Sequence, residues 1–195
     1  MKILVVLGHQ NTAQDSFCHG IARAVVERLG QNGHQTVFHD LYVERFDPVL
    51  TEEELKAASP ADPTVRCHID ELVGADGYVI IHPNWWGQPP AVLKGWIDRV
   101  FRQGAVYRFG PEGVSSPLAG RAALVLTTSN TPRDAEIELY GDPLENLWKN
   151  CIFGLCGVTN FVRRNFESMI MSTPDHREKW LADTRDLVDR QFPAR

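Results

Sequence analysis

Two adjacent tryptophans stand in the stretch Pro83-Asn84-Trp85-Trp86-Gly87-Gln88-Pro89-Pro90, just after the apolar run 77–81. Two neighbouring indoles cannot both enter one core. At least one is expected to wall a cleft, where aromatic faces and nearby backbone N–H groups suit a flat heteroaromatic ligand. The plainer alternative is that both rings cover a sheet edge. A second polar set, His9, Asn11, Thr12, Asp15 and Ser16, follows the apolar run 2–7 and leads into helical periodicity. Backbone N–H groups at the start of such a helix can hold a phosphate; Asp15 or Ser16 acting only as an N-cap is the alternative. A third set, Thr127, Thr128, Ser129 and Asn130, offers hydroxyls and an amide, with Arg133 and Tyr140 downstream. These groups suit the polar edge of a ring system, or equally a set of caps and turns.

Other chemistries find less support. One glycine precedes the first polar run, so neither a GxGxxG fingerprint nor a Walker loop is present. His9, His82 and His176 lack close metal-ligand spacing. His34 and His39 flank a strand as surface or edge residues, and His19 and His68 sit within helical patterns. No cysteine joins them as in a zinc site, so no metal is expected. Ser115-Ser116 has no nucleophile-elbow context.

The elements that must position these residues can be read from periodicity. Short apolar runs at 2–7, 36–39, 77–81, 122–126 and 158–166 read as strands, the first suited to burial on both faces. Helical spacing links Phe17, Ile21, Val25 and Leu29. It returns as two rows, Val92/Trp96/Val100 and Leu93/Ile97/Phe101, and again at Tyr140, Leu144, Trp148, Cys151 and Leu155. Glu52-Glu53-Glu54 opens a short helix that Pro60 and Pro63 should end. Residues 104–120, rich in Gly, Pro and Ser, read as a long surface excursion. Ser172-Thr173-Pro174-Asp175 reads as a capping box before a last helix carrying Trp180, Thr184, Leu187 and Gln191.

A strand–helix unit repeated about five times predicts an α/β fold: one domain over 1–195, with a parallel sheet and helices on both faces. Ligands of such sheets bind beyond the carboxyl ends of the strands, where the three polar loops fall. The formal charge of -5 gives no basic footprint for nucleic acid. No apolar run approaches the roughly 20 residues of a membrane span. The first run is read as a strand rather than a signal peptide, and Cys18, Cys67, Cys151 and Cys156 as reduced thiols of a cytoplasmic protein.

The stretch from Pro83 to Phe101, with its core Pro90-Ala91-Val92-Leu93-Lys94-Gly95-Trp96, resembles the signature of the NAD(P)H:quinone oxidoreductase family. That family includes quinone reductases, drug-activity modulators and ancillary subunits of potassium efflux systems. His9 with Ser16-Phe17, and Thr127-Thr128 leading to Tyr140-Gly141-Asp142, are similar too. The resemblance implies a three-layer flavodoxin-like fold with strand order 2-1-3-4-5. It implies FMN or FAD, with FMN taken first, and NADPH or NADH as donor to a quinone, azo or nitro acceptor in ping-pong turnover. It also implies a homodimer, or in one branch a membrane-transporter partner. By position, His9, Ser16, Phe17 and Cys18 would hold the flavin phosphate and ribityl chain. Asn84, Trp85, Trp86 and Gly87 would lie along the ring, and Thr127, Thr128, Ser129 and Asn130 at its polar edge. Asp98 matches an acidic position near the adenine of FAD-binding relatives. The chain departs from the mammalian pattern in its first loop, which is two residues longer, and in three further places. Ser129-Asn130 replaces Gly-Gly, Tyr140 falls near the position of a charge-stabilising His, and Asp134 falls near that of a Tyr. Tyr140 is the candidate catalytic donor.

Overall fold

The computed structural model describes residues 1–57 and 59–194. The strands β1 (Lys2–Leu7), β2 (Gln35–Asp40), β3 (Gly77–Pro83), β6 (Ala122–Thr128) and β7 (Asn160–Phe166) form one parallel sheet in the order β2-β1-β3-β6-β7. These are the first to fifth strands of the sequence reading, in the expected 2-1-3-4-5 order. Between β3 and β6 the excursion folds a small antiparallel hairpin, β4 (Arg108–Gly110) with β5 (Gly113–Ser115).

Alternation along the central strands splits the core in two. Ile3, Val5, Leu7, Val79, Ile81, Leu124 and Leu126 face α1 (Phe17–Gln31) and α7 (Pro174–Gln191). Leu4, Val6, Tyr78, Ile80, Ala123 and Val125 face α3 (Pro63–Gly74), α4 (Ala91–Val100) and a π-helical stretch, Asn146–Gly154. Both faces of the sheet are therefore apolar, which explains why the strands read as continuous hydrophobic runs. Among the described residues, no helix is long and apolar enough to cross a membrane.

Three local expectations change. Pro63 does not end α2 (Glu52–Lys56); it occupies the first turn of α3, where its missing N–H costs nothing, and Asp62 caps that helix. The pattern from Tyr140 to Leu155 is not one helix. It is α5 (Arg133–Glu138), a bend, α6 (Pro143–Glu145) and the π-helical stretch. Gly141 and Asp142 both take left-handed backbone (φ 68° and 47°), and Pro143 starts afresh, so the i,i+4 series crosses a break. At the last helix Thr173 is the cap and Pro174 the first residue, and the Thr173 side chain accepts from the His176 N–H.

One ion-pair cluster fixes the segment before α3. Arg99 of α4, itself buried, donates to Glu54 (3.0 and 3.1 Å), Asp62 (3.0 Å) and the Asp47 carbonyl (2.6 Å). It clamps residues 47–62 across α4, where Gly95 lets the Pro48 backbone pass. A Cβ on Gly95 would lie 2.2 Å from the Pro48 carbonyl oxygen.

Candidate active site

Strand register aligns the three polar loops. Leu7 pairs with Ile81, Ile81 with Leu126, and Pro83 with Thr128, so the loops open on the same edge of the sheet. A cleft of about 800 Å³ lies there. Of the residues singled out from sequence, His9, Phe17, Cys18, Asn84, Trp85, Trp86, Gly87, Thr128, Ser129, Asn130 and Tyr140 line it.

The first wall is the start of α1. Ser16 does not line the cleft; it caps the helix, accepting from the His19 N–H (3.4 Å) and meeting the His19 ring at 2.7 Å. That cap leaves the first-turn N–H groups of Phe17 and Cys18 free of helical partners. No acidic residue sits in this first turn. The Cys18 sulfur lies 3.4 Å from Thr128 Oγ1, tying α1 to β6, and burial pushes its thiol up to about 12. Cys18 is thus a neutral packing group. His9 is held below its ordinary value by burial and by His19, which leaves it a neutral ring that accepts from the Asn11 N–H (3.1 Å).

The second wall is a four-residue turn. Trp85 and Gln88 exchange backbone hydrogen bonds (2.9 and 3.0 Å), and Trp86 and Gly87 between them both have positive φ (56° and 73°). This is the I′ geometry of tight hairpins, for which glycine is suited and tryptophan is not. Trp86 is 98 % exposed at the cleft mouth, and Trp85 is half-exposed. Gly87 packs against the bend after α5, where a Cβ would meet Pro143 at 2.7 Å.

The third wall comes from β6 and α5. Thr127 was expected at the ring edge. Its side chain is instead fully buried and donates to Asn165 Oδ1 of β7 (2.9 Å), while Thr128 and Ser129 face the cleft. Tyr140 stands at the rim, 63 % exposed. Asp98 lies outside the cleft lining, paired with Lys94 at 2.6 Å.

Sequence reasoning missed one charged residue of the cleft. Glu136 lines the cleft although only 3 % of it is exposed. Its carboxylate accepts from Asn84 Nδ2 (2.7 Å) and Asn165 Nδ2 (3.0 Å), and burial raises it above the usual carboxylate range. In the sequence it is one acidic residue among several in a polar segment. Its two amide partners are distant in sequence, on β7 and just after β3, and no local signal reports that.

A second cluster lies away from the cleft. His39, Glu44 and His68 each place a ligand-type atom within 4.8 Å of the others, which the sequence spacing did not foretell. The same atoms are hydrogen-bonded within the cluster and to Glu71. His39 is clasped between Glu44 (2.9 Å) and Glu71 (2.7 Å), one carboxylate on each ring nitrogen. Burial opposes its charge, but the two carboxylates outweigh burial and hold it above its ordinary value. Trp96 Nε1 donates to His68 Nδ1 (3.0 Å), leaving the ring's own proton on Nε2 towards Glu44.

The comparisons with known proteins agree with this architecture. A family model described as flavodoxin-like fold matches residues 1–189. An uncharacterised NAD(P)H oxidoreductase of Haemophilus influenzae is 30 % identical over 165 residues, covering 82 % of this chain and 80 % of that protein. A crystal structure of Smu.1420 from Streptococcus mutans superposes with a TM-score of 0.85 at 32 % identity, covering 97 % of this chain and all of that one. An NAD(P)H:quinone oxidoreductase from Methanothermobacter marburgensis does so at 0.81 and 27 % identity, covering 95 % and 96 %. The chain belongs to the NAD(P)H:quinone oxidoreductase family of enzymes within the flavodoxin-like fold.

Proposed function

We propose that the cleft holds a flavin, FMN ahead of FAD, and that the protein uses it to pass two electrons from NADPH or NADH to a quinone or azo acceptor. One observation carries this reading: a free helix N-terminus, an aromatic turn and a hydroxyl-lined edge meet around one cleft of about 800 Å³. Asp98 gives no support to FAD, because it is paired with Lys94 outside the cleft.

A bound flavin supplies hydride acceptance from the nicotinamide and, once that product has left, two-electron donation to the acceptor. The chain supplies the setting. The Phe17 and Cys18 N–H groups bind the phosphate, and the Asn84–Gly87 turn and Trp85 orient the ring. Thr128 and Ser129 hydrogen-bond its polar edge, and Asn130 lies beside them. Tyr140 Oη donates towards negative charge at the cleft mouth. Trp86 and Tyr140 are exposed at the cleft mouth, and a second copy of the chain covering them would exclude water and make the functional unit a homodimer.

The test is the visible spectrum of the purified protein, before and after anaerobic NADPH. Flavin bands that bleach on addition are the expected result. A protein that stays colourless after incubation with FMN and with FAD overturns the proposal.

A further inference from the structure

The polar network beneath the cleft has a fixed direction. Thr127 Oγ1 donates to Asn165 Oδ1 (2.9 Å), so Asn165 turns its Nδ2 towards Glu136 Oε2 (3.0 Å) and Ser129 Oγ (3.1 Å). From the other side the Gly87 N–H donates to Asn84 Oδ1 (2.8 Å), so Asn84 turns its Nδ2 towards Glu136 Oε1 (2.7 Å). Two amide donors converge on one side chain, and only a carboxylate accepts both while offering no donor of its own. Among the described residues that line the cleft, Glu136 is the one carboxylate.

We propose that ionised Glu136 is a positioning residue that sets the Asn84–Gly87 turn: by accepting from Asn84 it fixes that amide, and through it the wall carrying Trp86 and Gly87. The turn needs an outside tie, because Trp86 holds a left-handed backbone that a bulky side chain disfavours. Its other anchors are the Asn84 N–H on the Thr128 carbonyl (2.6 Å) and the packing of Gly87 on Pro143. The consequence for a ligand rests on the flavin reading above; the positioning itself is a property of the ligand-free chain.

A glutamine at 136 cannot substitute. Its amide nitrogen would face one of the two asparagine donors. If Asn84 flipped to accept from it, Asn84 would turn its own donor onto the Gly87 N–H. The mismatch therefore passes from side chain to loop.

The charge state is contested by groups from each packed element. Arg163 of β7 has its Nη2 3.9 Å from Glu136 Oε1, and Arg133 lies on the same helix; both favour the anion. Burial and Asp142, at the start of α6, oppose it, and on balance the carboxyl titrates higher than an ordinary glutamate. Arg163 donates from Nη1 to Asp142 (2.7 and 2.9 Å), while its Nε and Nη2 have no hydrogen-bond partner. The tie on Asn84 should thus loosen at a higher pH than a surface carboxylate would.

The experiment is amide hydrogen exchange by NMR on the ligand-free protein, for wild type and Glu136→Gln, across pH and corrected for intrinsic rates. In Glu136→Gln at neutral pH, exchange at Gly87 and Gln88 should quicken by about tenfold or more, as expected for one lost hydrogen bond to a charged acceptor. Amides of β1 and β3 should not change. Wild type should approach the variant as the pH falls through the Glu136 titration, and the variant should show no such step. A passive structural contact would not give that step, and the wild-type profile alone decides the matter if the variant fails to fold. Equal protection at neutral pH, or a wild-type profile without the step, overturns the proposal. FMN titration of the same samples, followed by flavin fluorescence, separates the two readings. A wild-type step without FMN binding supports the positioning role and removes the cofactor. FMN binding without the step does the reverse.

Discussion

Gly95→Ala sets two effects of opposite sign against each other. Gly95 lies inside α4, and on helix propensity alone alanine there should stabilise by about 1 kcal/mol. Packing argues the other way. The new Cβ would sit 2.2 Å from the Pro48 carbonyl oxygen and 2.4 Å from its Cα. These are backbone atoms, so no rotamer change relieves the clash, and the segment would have to withdraw by roughly 1 Å. It is not free to do so, because Arg99, one turn further along α4, holds the Asp47 carbonyl, Glu54 and Asp62. Overpacking into fixed surroundings costs about 1–3 kcal/mol or more. Two rigid partners place this site at or above the top of that range, so the net change is a loss of about 2 kcal/mol. In a chain of this length that lowers the melting temperature by roughly 4–8 °C. Urea and thermal unfolding of the two proteins measure it directly. A Gly95→Ala protein as stable as wild type, or more so, would show that segment 47–62 is not clamped as described and refute the reasoning.

Further outcomes follow from other groups. Burial holds His82 at about 4, with Trp148 Nε1 donating to its Nε2 (2.9 Å), so the folded protein keeps it neutral. The unfolded chain takes up a proton near 6.5, so this group removes stability as pH falls from 6.5 through 4, by up to about 3 kcal/mol; an His82 NMR signal that titrates near 6.5 in the folded protein would contradict it. His39 has the opposite sign. Its folded value is raised, so its stabilisation is complete below the unfolded value and is lost as pH rises through the folded one. Glu71→Gln should therefore cost more stability at pH 5.5 than at pH 9, and a cost independent of pH would dismiss the clasp. Tyr140→Phe should slow reduction of the proposed flavin by about tenfold, less than a buried donor would because Tyr140 is at the rim; an unchanged rate in stopped-flow absorbance would remove Tyr140 from the chemistry.

The parts of the fold legible in the sequence were those whose burial is local. Residues 2–7 and 77–81 are apolar without a break because both faces of the sheet are covered, and their strands were read nearly to the residue. The rows on α4 were legible for the same reason. The segment from Pro132 to Gly154 was not, because its i,i+4 spacing persists across Gly141-Asp142-Pro143 while the backbone does not. The π-helical stretch then brings Gly154 against the Lys149 carbonyl, a spacing that a 3.6-residue template cannot register. The site divides in the same way. The tryptophan pair, the helix start and the Thr128-Ser129 edge announced themselves by residue type. Thr127 was misplaced by one step of strand alternation, which turns its hydroxyl to Asn165 rather than the cleft. Glu136 could not be found at all, since its partners Asn84 and Asn165 lie 52 and 29 residues away.

The strand order also bears on how the protein is made. A chain synthesised from its N-terminus completes β1, α1, β2 and β3 first, and these already pair side by side. The helix start and the tryptophan turn are thus available while the ribosome is still far from residue 160. The tie on that turn must wait for Glu136, and the partner that orients Glu136 waits for Asn165 on the outermost strand. A product ended between β6 and β7 would carry the α1 start and the tryptophan turn but lack Asn165 beneath Glu136. The polar network beneath the cleft is therefore completed in one late step of synthesis.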